Sequence, residues 1–300
     1  MPEATSTAPP PVPRPTTWPL FGSPTPSRPF GLGRLKGTPY VLESILGAGG
    51  MAGVYRARHL GLDRHVALKV LHPDGANDIA ALEWLHREAR LLARLKHPGV
   101  LQVHDLGISD DGRPFVALEY VDGPDLQTLV DDEAPLSAAR AVRLIATCCE
   151  ALAAVHAAGI VHRDVKPENI ALVDAWTRDE RTMLLDFGIA IGPDDPPLTG
   201  EGMTVGTPGF VAPEQAMGEA VDGRADQYGL AMVLYQLLTG RHPYRKGDVL
   251  ETLEAQLSKP VKPPAELRPG LVSETLSGVV LRALALDPED RYPDMQAFRA

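Results

Sequence analysis

The sequence predicts an α+β protein whose strands come first and whose helices come last, and three observations predict it. Its 300 residues suit about two domains or one two-lobed unit. Between Tyr40 and Tyr120, short apolar strands and polar turns surround one amphipathic stretch, Leu82 to Leu95. Beyond Tyr120, apolar residues fall at helical spacing instead, in Ala141 to Ile160 and Asp226 to Leu238. The composition, 44% hydrophobic and 23% charged, is that of an ordinary soluble protein. No run approaches the roughly 18 apolar residues of a membrane span. Met1-Pro2-Glu3-Ala4-Thr5 lacks the basic-then-apolar order of a signal peptide, so a cytoplasmic location is expected. A net charge of -10 speaks against nucleic acid as a partner, because phosphate binding wants a basic face. Cys148 and Cys149 are neighbours on a predicted helix and fit packing in a reducing compartment.

In chain order, residues 1 to 37 are crowded with Pro, Ser and Thr, as in Ala8-Pro9-Pro10-Pro11-Val12-Pro13, and are expected to form a disordered or polyproline-like tail. Order begins near Tyr40 with a strand, Val41 to Leu46, that runs into Gly47-Ala48-Gly49-Gly50-Met51-Ala52-Gly53. A glycine-rich turn between strands lets backbone N–H groups approach phosphate oxygens with no Cβ in the way. Val54 to Arg58 continues as strand, whereas a dinucleotide fold needs a helix there. Val66 to Val70 alternates around one lysine, Lys69, whose burial requires anions at its head. The helix Leu82 to Leu95 carries Leu85, Leu91, Leu92 and Leu95 as its apolar stripe. Strands Leu101 to Leu106 and Pro114 to Tyr120 then flank the turn Ser109-Asp110-Asp111-Gly112.

The chain is organised around His162-Arg163-Asp164-Val165-Lys166-Pro167-Glu168-Asn169. This polar loop separates the helix Ala141 to Ile160, with Val142, Ile145, Ala146, Leu152 and Val155 on its apolar face and a stop at Gly159, from the strand Ile170 to Val173. Asp164 can accept a proton from a hydroxyl nucleophile, Lys166 can steady a transferring phosphoryl charge, and Asn169 offers a neutral oxygen to a hard cation such as Mg²⁺. Seventeen positions beyond Asn169, the run Met183-Leu184-Leu185 ends on Asp186-Phe187-Gly188, whose carboxylate completes a hard-oxygen site. The turn before that run, Asp174 to Thr182, is a few residues longer than expected.

With Lys166, Asn169 and Asp186 at these offsets, the loop resembles the catalytic loop of the eukaryotic-type Ser/Thr protein kinases. Gly49-Gly50-Met51 and the wording Asp164-Val165-Lys166-Pro167-Glu168-Asn169 resemble the bacterial branch. The resemblance implies a bilobal kinase fold over about residues 38 to 300. A small antiparallel β lobe with one main helix would reach about residue 120, and a large, mainly helical lobe would follow from about 121. ATP would lie between them, against Leu46, Gly47, Ala48, Gly49, Gly50, Val54, Ala67, Lys69, Glu119, Val121 and Ala171, with Mg²⁺ on Asn169 and Asp186. The implied catalytic set is Asp164, Lys166, Lys69 and Glu88, with Lys69 on the α- and β-phosphates and Glu88 as its partner. Glu83 is the competitor for that pairing. Leu118 stands as gatekeeper, Glu119 and Val121 act through the hinge backbone, and Asp125 either reaches the ribose or caps a helix beginning at Leu126. Ala52, where the family has a glycine, and Ala171, where a bulkier residue is usual, are departures that a non-catalytic binding relative would share.

Ile189 to Gly209, rich in Asp, Pro, Gly and Thr, resembles the activation segment that closes at Thr207-Pro208-Gly209-Phe210-Val211-Ala212-Pro213-Glu214. Gly206-Thr207 and Ala212-Pro213-Glu214 separate protein kinases from small-molecule phosphotransferases. The implied activity is transfer of the γ-phosphoryl of ATP to Ser/Thr hydroxyls of protein substrates. It would include the chain's own Thr199 or Thr204, with a homodimer as one route. Arg163 would pair with a phosphate on that segment. Thr207 is expected to bond Asp164 and Lys166. Asp226 either braces the catalytic loop or caps its helix, Arg291 is implied to pair with Glu214, and the last helix is expected to be cut short at Ala300.

Overall fold

A computed structural model describes residues 31–48, 52–72, 79–187, 207–244 and 249–300. Its first part is an antiparallel sheet of six strands: β1 (Gly33–Arg34), β2 (Tyr40–Ala48), β3 (Ala52–His59), β4 (Arg64–Leu71), β5 (Val103–Ile108) and β6 (Pro114–Glu119), in the order β1-β2-β3-β4-β6-β5. One helix, α1 (Ile79–Arg94), crosses between β4 and β5. Alternation gives the sheet two faces. Val54, Ala67, Val116 and Leu118 join Leu85, Ala89 and Leu92 of α1 in the main core. Tyr40, Tyr55, Leu68 and Phe115 build a second cluster outside.

The sheet begins earlier than the boundary expected at 38. Gly33 and Arg34 pair with Leu42 and Val41, and Leu35 is buried in the outer cluster. One leucine in a proline-rich stretch is too little pattern to announce this. Ala52 also differs from expectation: it lies in β3 opposite Leu71, buried, so its methyl packs in the core of the small lobe. At Gly53 an added Cβ would come within 2.8 Å of the Tyr55 ring, which explains the glycine. Leu101, expected to lead a strand, instead donates its N–H to Leu184 O (3.1 Å) while Leu184 N donates to Gly99 O (2.8 Å). This stretch therefore ties the sheet to the second part of the molecule, and β5 starts two residues later.

The second part is helical, with α2 (Leu126–Glu133), α3 (Ala138–Ala157), α4 (Pro213–Ala216), α5 (Gly223–Thr239), α6 (Val249–Ser258), α7 (Pro264–Leu267), α8 (Glu274–Ala283) and α9 (Met295–Arg299). A two-stranded hairpin, β7 (Ile170–Val173) and β8 (Arg181–Leu184), lies against α3. The arrangement is the α+β, two-lobed one expected. Ser137 caps α3, and Gly159 follows its end at φ +74°, as the glycine stop implies. Ile145, Leu152 and Val155 are buried as expected, together with Leu144 and the free thiols Cys148 and Cys149, whereas Val142 is exposed. Helix α5 is buried from Ala225 to Leu238, which makes it the axis of this lobe.

The long turn of the β7–β8 hairpin is an ion network. Glu180, buried, accepts from Arg140 Nε (3.0 Å) and Nη2 (2.7 Å) and from Trp176 N (3.1 Å). Arg140 Nη1 and Trp176 Nε1 both donate to Glu133 at 2.5 Å. The turn is thereby fastened to the end of α2 and the start of α3, with Asp174 and Trp176 at positive φ.

Candidate active site

The cleft side of the small lobe presents Lys69. It sits in β4 between Val54 and Val116, and its Nζ donates to Glu88 Oε2 at 2.6 Å and lies 3.7 Å from Asp186 Oδ1. Glu88 is buried on the inward face of α1, whereas Glu83 is exposed, so Glu88 is the partner. Burial works against the Lys69 charge, but the Asp186 and Glu88 carboxylates outweigh it and hold the ammonium above its ordinary range. Burial likewise pushes the Glu88 carboxyl up, against the pull of Lys69.

Of the expected nucleotide-facing residues, Gly47 and Ala48 end β2 opposite Val54 and Gly53, while Gly49 and Gly50 lie outside the described residues. Val54, Ala67 and Ala171 are buried in one core with Leu118 and Val121, and Leu46 packs against it. Glu119 closes β6, its N–H on Gln102 O (2.8 Å). The linker that follows is stitched to β7: Leu172 N donates to Pro124 O (2.8 Å), and Asp125 pairs with Ala171. An added Cβ at Gly123 would stand 2.0 Å from Leu172 O, so only glycine fits. Asp125 Oδ1 accepts from Thr128 N (2.7 Å) and Thr128 Oγ1 (2.8 Å), which makes it the N-cap of α2.

On the facing lobe, the loop 162–169 is held from below by Asp226. Its Oδ2 accepts from His162 N (2.9 Å), its Oδ1 accepts from Arg163 N (2.7 Å), and His156 Nε2 lies 2.6 Å from Oδ2. Asp222, not Asp226, caps α5, so the bracing alternative is the one realised. Burial opposes the Asp226 charge, but His156 and the loop donors hold its carboxyl below the usual range. The buried His162 ring sits 4.5 Å from Phe187, and burial pushes its pKa down. His156 was not legible as a partner, because nothing in its own neighbourhood points to an acid 70 residues away.

Above this brace the polar groups converge on Asp164. Lys166 Nζ is 2.7 Å from Asp164 Oδ2 and donates to Thr207 Oγ1 at 2.7 Å, and that hydroxyl donates to Asp164 Oδ1 at 3.0 Å. Asn169 Nδ2 donates to the backbone oxygen (2.7 Å) and Oδ2 (3.0 Å) of Asp164. Its Oδ1 is buried with no hydrogen-bond partner, on the residue whose backbone oxygen accepts from Leu185 N (2.9 Å), next to Asp186. An orphaned amide oxygen and a carboxylate fit a hard cation such as Mg²⁺. Thr199 and Thr204 lie outside the described residues. The buried Glu214 receives both Arg291 Nη1 (2.8 Å) and Nη2 (2.7 Å), as implied, and α4 is anchored by that pair.

A lysine–glutamate pair in a β lobe, facing a braced Asp-x-Lys-x-x-Asn loop in a helical lobe, is the arrangement of a phosphotransferase cleft. The sequence model of the protein kinase domain matches residues 40–300, and the chain belongs to that family. Within it, the chain is similar to bacterial serine/threonine kinases. It is 38% identical over 281 residues to serine/threonine-protein kinase pkn3 of Myxococcus xanthus, covering 92% of this chain and 51% of that protein. It is 40% identical to PknB of Mycobacterium tuberculosis, covering 87% of this chain and 42% of that protein. The chain thus spans about half or less of these relatives' length. The crystal structure of the Mycobacterium tuberculosis PknI kinase domain superposes with a TM-score of 0.67 at 34% identity, over 90% of this chain and 97% of that one.

Proposed function

We propose that this chain transfers the γ-phosphoryl group of ATP to Ser or Thr hydroxyls of proteins. The observation that carries the reading is the Thr207 hydroxyl, held 3.0 Å from Asp164 and 2.7 Å from Lys166. A side-chain hydroxyl already rests against the base and the ammonium, as an acceptor must. In the reaction the acceptor oxygen attacks the γ-phosphorus, the bond to the β–γ bridging oxygen breaks, the acceptor proton passes to Asp164, and ADP leaves. Lys166 offsets the charge on the transferring group. Lys69, kept charged by Glu88 and Asp186, takes the α- and β-phosphates, and Glu119 and Val121 present the hinge backbone to the adenine. Bound Mg²⁺, on Asn169 and Asp186, would supply charge neutralisation at the phosphates.

The domain reading assigns the catalytic unit to residues from Gly33 to Ala300 and a tether to those before it. No helix among the described residues is long and apolar enough to cross a membrane, and a cytoplasmic site of action follows from the need for ATP. Proteins are the substrates, the chain's own Thr199 or Thr204 among them, with a homodimer as the encounter that delivers one copy's segment to the other.

Incubation with γ-labelled ATP and Mg²⁺ followed by phosphosite mapping tests this. Label appears on protein Ser or Thr in the wild type and not in Asp186→Asn. Asp164→Ala lowers kcat by roughly 10²–10⁴ while ATP affinity is kept. Near-normal transfer by Asp164→Ala would refute the role of that carboxylate.

A further inference from the structure

The cleft face of the small-lobe sheet does not end at Ala67. Alternation along β4 puts His65 on the same side as Ala67 and Lys69, and along β3 it puts Arg56 on the side of Val54. Strand β6 runs antiparallel to β4 with Glu119 opposite Val66, so the next residue, the half-buried Tyr120, comes up beside His65. Its ring centre lies 6.1 Å from the imidazole and 5.5 Å from the Arg56 guanidinium carbon, within reach of a cation–π contact. Glu43 of β2 completes the group: its Oε2 is 3.1 Å from His65 Nε2 and 3.6 Å from Arg56 Nε. None of these four side chains enters the reaction described above.

His65 Nε2 is also 3.1 Å from Arg56 Nη2. Among the described residues that is the guanidinium's one hydrogen bond, since its buried Nε has no hydrogen-bond partner. A ring nitrogen holds either a lone pair or a proton. With the lone pair, Nε2 accepts from Arg56 and steadies the guanidinium over Tyr120. With the proton on a charged ring, it turns to Glu43, the Arg56 bond is lost, and two like charges stand side by side. The other charges on this side are accounted for: Arg58, opposite His65, is held by Asp63, and Asp122 bears on Tyr120 from the linker. Arg64 and Glu119 fall with Val66 on the outer face of the sheet.

We propose that Tyr120 is a positioning residue for the nucleotide: clasped by Arg56 and His65, its ring fixes the Glu119 and Val121 backbone against the adenine, and protonation of His65 loosens the clasp. The inference rests on the kinase reading above. The side chains of Arg56 and His65 are 39% and 38% exposed, so solvent screens their contacts and the effect on affinity is a few-fold.

Adenosine is the probe, because it meets the hinge but carries no phosphate to titrate. Its Kd is measured by calorimetry from about pH 8 down to about pH 5, the range over which an imidazole changes charge. In the wild type the Kd rises about two- to fivefold toward acid, the worth of an exposed cation–π contact. Tyr120→Leu shows the weaker Kd at every pH, and at the alkaline end it raises KM for ATP by the same factor with kcat unchanged. Tyr120→Phe, which keeps the ring, restores the wild-type values. His65→Gln, whose amide oxygen accepts from Arg56 at any pH, binds adenosine tightly throughout. Wild-type affinity in Tyr120→Leu, or a pH dependence that survives in His65→Gln, overturns the inference even where phosphate transfer is normal. The expected adenosine series without any phosphate transfer would uphold the clasp and overturn the kinase reading instead.

Discussion

Lys69 is one cation shared by two carboxylates, the buried Glu88 at 2.6 Å and the half-buried Asp186 at 3.7 Å. Its loss therefore does more than remove a phosphate contact. Lys69→Met leaves two acids facing each other without a counter-charge, and Glu88 then takes up a proton. The expected outcome is a kcat lower by roughly 10²–10³, with a lower melting temperature than that of Glu88→Gln, which removes a charge from an acidic surplus. Turnover and calorimetric melting of the two variants check it, and equal melting temperatures would contradict the shared-cation account. At this scale the sequence was informative wherever chemistry is local. Asp164, Lys166 and Asn169 lie within six residues of one another and converge as their spacing implies. His156 was silent because its partner comes from another helix. Gly123 was silent because the Leu172 carbonyl that forbids a side chain is delivered by β7.

Among the elements, the β7–β8 turn shows how a peripheral insertion is made rigid. Glu180 lies under Arg140, and Trp176 reaches Glu133, so α2, α3 and the hairpin share one network. Burial raises the Glu180 carboxyl, but Arg140 and the Trp176 N–H overcome this and hold it below its ordinary range. An acid whose folded pKa is depressed contributes stability that is present above its unfolded value, about 4.3, and that is lost as pH falls through the folded value. Glu180→Ala should thus cost about 2 kcal/mol at neutral pH, since it removes the charge-assisted bonds from half-buried Arg140 to Glu180 and leaves that arginine with Glu133 alone. The difference from wild type should shrink progressively in acid, as urea midpoints measured across a pH series will read. The network was visible beforehand only as a turn with residues to spare. Strand limits were misread for a related reason: Leu101 is buried but bonds its N–H to Leu184 of β8 rather than pairing in the sheet, while Leu106 at the other end of the apolar pattern is exposed. In α3 the period was right, but Val142 lies at the edge of the buried face.

Across the whole molecule, long-range pairs hold what the chain order separates. Arg291 reaches back 77 residues to Glu214 with both nitrogens, and also donates from Nε to Ala285 O (2.9 Å) and from Nη1 to Arg224 O (2.9 Å). Removing one member leaves a fully buried charge, which costs about 3–5 kcal/mol. Arg291→Met should accordingly lower the unfolding midpoint steeply. Adding Glu214→Leu should recover part of the loss, because the stranded carboxylate goes with it; a double variant less stable than Arg291→Met would show that the pair is not coupled in this way. The division into two lobes was readable from where strands give way to helices. The extra turn of sheet at Gly33–Arg34 was not, since two residues of strand and one leucine leave no period to detect.

The sequence has two thiols, Cys148 and Cys149, and both sit inside α3 against the core. Burial pushes Cys148 up to about 12 and Cys149 up as well, so neither is a thiolate at neutral pH. To maleimides and other alkylating reagents the native protein is therefore nearly inert. A cysteine placed at exposed Leu62 and another at exposed Leu286 would take up fluorophores against a blank background, and opening and closing of the cleft could be followed by energy transfer with both native cysteines left in place.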